Sequence, residues 1–295
     1  MRELTGVLVP VPTPFRGEAV AADRLKANLA RWNETSLSGY VLLGYTGEYL
    51  LLSEAERDVV LAAAREAIPR DKVMLAGTGC DSTLHAIRQT KRAAEIGADA
   101  AIVITPHHYT RDLGHAGAQA RHYLAVADAS PVPIVLYNLP LHTGVNLEPD
   151  TVARIADHPN VVGIADGSGS IAQAAETVHL TPKTFHVLIG AASALLPALA
   201  IGASGGVLAQ AAIAAREYVE IYGLGRQGRW DEAKALAARM ILADRGVSGK
   251  YGIGGLKAAL DLQGFYGGPC RAPLGTPDAD DIEDIKESLA TAGLL

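Results

Sequence analysis

Only two cysteines, Cys80 and Cys270, occur in 295 residues. They stand far apart and share no metal-ligand spacing, so they read as small buried hydrophobes in a reducing compartment rather than as a disulfide scaffold. Aromatic residues make up 5% of the chain while apolar residues reach 49%, so the core has to be aliphatic. No run of Lys or Arg exceeds two residues and the formal net charge is −6. Nucleic acid and anionic membrane are therefore not expected partners. No apolar stretch is long and clean enough to span a bilayer. The opening MRELTGVLVPVPTPF has no basic segment followed by a long apolar run, so no signal peptide is expected and the default compartment is the cytoplasm.

What is present is an alternation. Short aliphatic runs occur at Gly6–Val11, Gly39–Gly44, Val73–Thr78, Ala100–Thr105, Pro133–Asn138, Val161–Ala165, Phe185–Gly190 and Gly205–Ala209. Continuous apolar runs of that length fit parallel strands covered on both sides. Helical patterns fall between them. Asp23–Glu34 is one; Ser53–Ala67 opens with Ser53 and Glu56 in capping-box spacing; Ser82–Ile96 stops at Gly97; Asp150–Asp157 is stopped by Pro159. No G-x-G-x-x-G follows the first run, which argues against a dinucleotide fold. Eight strand–helix units predict an α/β chain forming a (β/α)₈ TIM barrel over residues 1–225. Further helical segments near Ala212–Gly225, Trp230–Ala243, Gly255–Gln263 and Ala279–Ala290 lead to a C-terminal helical extension, residues 226–295, packed on the barrel.

Working residues of this fold sit at the C-terminal ends of strands. The second strand runs into Gly44-Tyr45-Thr46-Gly47-Glu48, which is either a tight turn capped by its Thr or a set of N–H groups and a hydroxyl for a carboxylate. The fourth ends in Thr105-Pro106-His107-His108-Tyr109. Adjacent histidines on an extended segment point opposite ways and no third ligand shares their spacing, so no metal site is expected. A hydrogen-bonding or acid–base role and an ordinary surface role both stay open. The fifth ends in Tyr137-Asn138-Leu139-Pro140, where Tyr137 either relays a proton or packs. The sixth ends in Ala165-Asp166-Gly167-Ser168-Gly169, an anion site at a helix start or a plain turn.

Taken together, these strand ends resemble the dihydrodipicolinate synthase and N-acetylneuraminate lyase family over nearly the whole chain. Gly44–Glu48 resembles its G-x-T-G-E turn, Tyr137–Gly144 its Y-N-x-P-x-x-T-G segment, and Val161–Gly169 its V-x-G-x-K-D-x-S-G segment. The stretches Leu75–Cys80 and Gly267–Leu274 are similar to those of the 4-hydroxy-2-oxoglutarate aldolases. The resemblance implies a carbon–carbon lyase that cleaves such a 2-oxo acid to pyruvate and an aldehyde through a lysine Schiff base. It implies no cofactor and no metal, a small-molecule 2-oxo acid as partner, and a homotetramer built as a dimer of dimers. Thr46 and Gly47 would hold the carboxylate, with Gly190 and Leu208 also on the substrate side, and Tyr137 would shuttle protons. The family's synthases carry Arg two residues after the Pro of the Y-N-x-P segment; here His142 stands there, which argues against their reaction.

Ala165 falls at the imine-forming lysine. Tyr45 replaces a relay Thr or Ser, and His108 replaces a Tyr that reaches over from a neighbouring subunit. Two accounts fit: a lysine exchanged for alanine in an otherwise intact aldolase, or a chain that has left imine chemistry. The second leaves a lysine-independent lyase, hydratase or cyclase using Tyr137 and His108, or a 2-oxo acid binding protein without turnover. Gly163 and Ala165 lie on one face of their strand, so unfilled space is expected beside both.

Overall fold

The computed structural model describes residues 3–295. Eight parallel strands follow one another in a closed order, each beside its sequence neighbours: β1 Gly6–Pro10, β2 Gly39–Leu42, β3 Val73–Gly77, β4 Ala100–Ile104, β5 Ile134–Asn138, β6 Val161–Asp166, β7 His186–Ile189 and β8 Gly205–Val207. This is the (β/α)₈ barrel that the alternation predicts. Seven strands lie inside their expected runs, shortened by up to two residues at an end, and β6 extends one residue past its run, to Asp166. Among the described residues no helix is long and apolar enough to cross a membrane.

The chain divides into two compact units. One comprises residues up to Gly6 with Val73–Val207; the other comprises Val7–Lys72 with Leu208–Leu295. In the first, β3 to β8 alternate with α3 Thr83–Ile96, α4 Ala116–Ala129, α5 Pro149–Ala156, α6 Ile171–Leu180 and α7 Leu195–Ala200. Ser82 caps α3 and Gly97 ends it in the left-handed region, φ 107°, as the sequence signals require. The core of this unit joins Ala101, Val103, Ile134, Leu136, Ile164 and Val187 to Tyr123, Val126, Val152 and Ile155 of the helices. Successive side chains on a strand face opposite ways. Val135 and Tyr137, alternating with Ile134 and Leu136, therefore turn away from the helices toward the barrel interior, and so does Ala165 beside Ile164.

Gly163 corrects one expectation. A Cβ placed there would meet the His186 carbonyl oxygen at 2.6 Å, so the neighbouring backbone already fills that volume. The register between β5 and β6 shifts between Ile134 and Val135, with Ile134 opposite Val161 and Val135 opposite Gly163. Glycine suits that irregular, close approach.

In the second unit β1 and β2 pair through Leu8–Gly39, Val9–Tyr40 and Pro10–Val41. Helices α1 Ala22–Asn33 and α2 Glu54–Ala67 belong here, together with α8 Ala215–Arg226, α9 Trp230–Gly246, α10 Ser248–Leu262 and α11 Ala279–Thr291. The predicted capping box at Ser53 and Glu56 is formed. The segment after α10 docks on α1: Trp32 stacks on Phe265 with centroids 5.2 Å apart, and Asn28 exchanges hydrogen bonds of 2.8 and 2.9 Å with the Tyr266 backbone. Burying an aromatic pair and satisfying a buried amide on both sides fixes this docking.

Candidate active site

Tyr137 and Ala165 are register partners at the C-terminal ends of β5 and β6, and Ala165 is also opposite Leu188 of β7. Tyr137 is 6% exposed and Ala165 fully buried. A methyl group there offers no nucleophile, and the chain's other candidates lie elsewhere. Of the lysines Lys26, Lys72, Lys91, Lys183, Lys234, Lys250, Lys257 and Lys286, only Lys72 and Lys257 are buried. Lys72 donates to the Thr35 and Leu37 carbonyls at 2.7 and 2.8 Å, and Lys257 is paired with Glu48.

One residue beyond this pair, Asn138 and Asp166 are again register partners, and both are buried. Asp166 accepts from Asn138 Nδ2 at 2.9 Å, from the Ser168 N–H and hydroxyl at 3.0 Å each, and from Gln173 Nε2 at 3.3 Å. Asn138 also donates to Asn146 Oδ1 at 2.8 Å and accepts from the Leu147 N–H at 3.1 Å. A buried carboxylate needs such donors to stay in place. They lock the loops after β5 and β6 against each other. The Asp166 carbonyl accepts the Gly190 N–H at 2.7 Å. A Cβ on Gly190 would sit 2.8 Å from Gly167 Cα, so glycine at 190 lets the two backbones meet.

The histidines of the loop after β4 are held by a residue the sequence reading missed. Asp81 Oδ1 accepts the N–H groups of His107 and His108 at 2.7 and 3.0 Å. Burial alone would raise the Asp81 carboxyl, but the two N–H groups and the adjacent rings outweigh it and hold it below its ordinary value. His108 is exposed and stands edge-on to Tyr109 at 4.9 Å. His142, on the short turn Pro140–Thr143, is exposed too, and partial burial lowers its imidazole, so it is mostly neutral at pH 7. Among the described residues no group of three His, Cys, Asp or Glu side chains is placed to hold a metal ion.

In the other unit, the Gly44–Glu48 turn is built from two hydrogen bonds, Gly47 N–H to Gly44 O at 3.1 Å and Glu48 N–H to Tyr45 O at 3.0 Å. The Gly47 carbonyl accepts from Thr13 Oγ1 at 2.7 Å. Leu43 and Glu48 both lie in the left-handed region, φ 57° and 55°, a conformation that side-chain-bearing residues adopt only under outside constraint. Thr46 between them is 5% exposed, yet among the described residues neither its N–H nor its hydroxyl is bonded to another group. Thr46 Oγ1 is not among the fully buried side-chain atoms that lack a partner, so the hydroxyl keeps contact with solvent although the residue as a whole is buried. Tyr45 is more open, at 39%, and burial of its ring still raises its hydroxyl. Leu208 is fully buried, and its N–H donates to Leu8 O at 2.9 Å.

Three supports of the candidate residues escaped the sequence reading: Asp81 and the Asn138–Asp166 network in the first unit, and the Glu48–Lys257 pair in the second. Only the last left a local signal, a single cation inside the apolar stretch Ile253–Leu260.

The dihydrodipicolinate synthetase family model matches residues 3–292. A 4-hydroxy-tetrahydrodipicolinate synthase of Methanosphaerula palustris is 35% identical over 290 residues, 97% of this chain and 98% of its own. One from Methanothrix thermoacetophila is 37% identical over 280 residues, 94% and 93% of the two chains. The chloride-inhibited dihydrodipicolinate synthase of Acinetobacter baumannii, solved with pyruvate, superposes with a TM-score of 0.92 at 28% identity, covering 99% of this chain and all of the other.

Proposed function

The chain belongs to the dihydrodipicolinate synthetase family, and we propose that it carries the 2-oxo acid site of the family's pyruvate aldolases with Ala165 in the place of the imine-forming lysine. The observation that carries this reading is the inward-facing register pair of Tyr137 and Ala165, both buried at adjacent strand ends. Tyr137 is the hydroxyl that moves protons at the reacting carbon. Position 165 is where an amine would attack the 2-oxo carbon. With alanine there, pyruvate binds without a covalent bond, and cleavage of 4-hydroxy-2-oxoglutarate or a related 2-oxo acid awaits a lysine. By the family resemblance, Thr46 offers its N–H and hydroxyl to the carboxylate. The neutral imidazole of His142 offers hydrogen bonds rather than charge to the far end of the substrate, unlike an arginine.

The test is calorimetric titration of the unchanged chain with pyruvate. Saturable binding is expected, and Thr46→Val should weaken it about tenfold or more, the value of one hydrogen bond to a charged group. Absence of binding, or equal binding by Thr46→Val, contradicts the proposal.

A second reading keeps turnover without lysine, with Tyr137 and His108 as acid and base. The Asp81 clamp favours it, because it fixes the loop that presents His108. Under this reading Tyr137→Phe lowers turnover of the responsive 2-oxo acid by about a hundredfold. Saturable binding with no turnover of any 2-oxo acid leaves a binding protein.

A further inference from the structure

The most heavily anchored residue of the Gly44–Glu48 turn is Glu48, at its end. Glu48 is 3% exposed. One of its carboxylate oxygens takes the Lys257 ammonium, and the other accepts the Arg271 N–H at 2.8 Å. Lys257 is itself buried, 1% exposed, and its ammonium also donates to the Pro269 carbonyl at 2.8 Å. Its ammonium lies 4.6 Å from the centroid of the Phe15 ring, and the Arg271 guanidinium lies 4.4 Å from the same centroid. Arg271 grips both Glu56 oxygens, at 2.6 and 2.9 Å, on the first turn of α2. The turn and the helix that follows it are thus both tied to the segment after α10.

We propose that Lys257 is a positioning residue: through Glu48 it holds the left-handed backbone that keeps the Thr46 N–H and hydroxyl aimed at a ligand carboxylate. A buried ion pair is a weak device for stability alone, since well-packed apolar residues do as well or better. It does fix one conformation, because each partner is costly to leave unpaired. Here that conformation includes Leu43 and Glu48 at positive φ, which nothing in their side chains favours. Removing the ammonium leaves a buried carboxylate without its counter-charge. The carboxylate then turns out toward water, and the Thr46 donors turn with it.

The inference rests on the proposed 2-oxo acid site, and its test separates the two. Pyruvate affinity and thermal stability are measured for the unchanged chain, for Lys257→Met, and for the charge-free double variant Glu48→Gln with Lys257→Met, which guards against failure of the single variant to fold. Leu289→Ala, in the buried face of α11 and outside the turn, serves as the destabilised control. Both turn variants are expected to bind pyruvate about tenfold to a hundredfold more weakly, the scale of a mis-set positioning contact. Hydrogen exchange should quicken at Gly47 and Glu48, whose N–H groups carry the two bonds of the turn, in the same variants. Leu289→Ala should lose melting temperature while keeping its affinity and its exchange at the turn. If the unchanged chain binds and the turn variants bind equally well, Lys257 serves the fold alone and the inference is wrong. If the unchanged chain does not bind, the 2-oxo acid reading itself has failed and takes the inference with it.

Discussion

Replacing Asp166 with alanine should destabilise the chain and loosen the loops that flank Tyr137 and Ala165. The carboxylate is 3% exposed and accepts from Asn138 Nδ2, the Ser168 N–H and hydroxyl, and Gln173 Nε2 at 2.9 to 3.3 Å. Hydrogen bonds to a charged group are each worth about 1.5–3 kcal/mol, but they do not add in full. Asn138 keeps its bond to Asn146, and the partly buried Ser168 and Gln173 can turn to water. The loss is therefore close to one fully buried charged bond plus a fraction of the others, about 3 kcal/mol. At about 2–4 °C per kcal/mol for a chain of this size class, the melting temperature should fall by roughly 6–12 °C. Asp166→Asn keeps the shape but turns an amide toward existing donors, and should fall between the two. Scanning calorimetry measures the drop, and hydrogen exchange at Gly167 and Ser168 should quicken in parallel. An alanine variant melting within about 2 °C of the unchanged chain would show that the network adds no stability.

Two pH effects should appear in successive windows. Burial lowers the His122 imidazole from 6.5 to about 4, so the unfolded chain takes up that proton first and stability falls as pH drops from 6.5 toward 4. His122→Gln should flatten that part of a pH–stability curve measured by urea unfolding; an unaltered slope contradicts the assignment. The Arg271 guanidinium, with Ser53, holds the Glu56 carboxyl down from 4.5 to about 2. Its stabilising contribution is present above 4.5 and disappears as pH falls through the value near 2, so Glu56→Gln should be less stable at pH 7 and should converge with the unchanged chain in strong acid. A gap that persists at low pH argues against the ion pair as the cause.

The barrel was legible because its strands are continuous aliphatic runs and its helices carry side-chain signals. Ser53 with Glu56, and Ser82 with Gly97, sit at the helix ends they predict. Position on a strand also read through: Tyr137 and Ala165 fall on the inward face as their places in β5 and β6 require. What the sequence hid is pairing between distant residues. Glu48 and Lys257 are 209 residues apart, and Asn138 meets Asp166 across 28; neither spacing has a local period. Gly163 misled for a related reason. A missing side chain suggests a void only until the neighbouring strand, here at His186, is seen to occupy it.

The most direct test restores an amine. Ala165→Lys and the unchanged chain are each incubated with pyruvate, reduced with borohydride and weighed intact. A reduced pyruvate adduct in the lysine variant, and none in the unchanged chain, is the result expected if the site is still assembled for imine chemistry. A well-folded lysine variant that forms no adduct contradicts that claim and turns the reading toward chemistry carried by Tyr137 and His108.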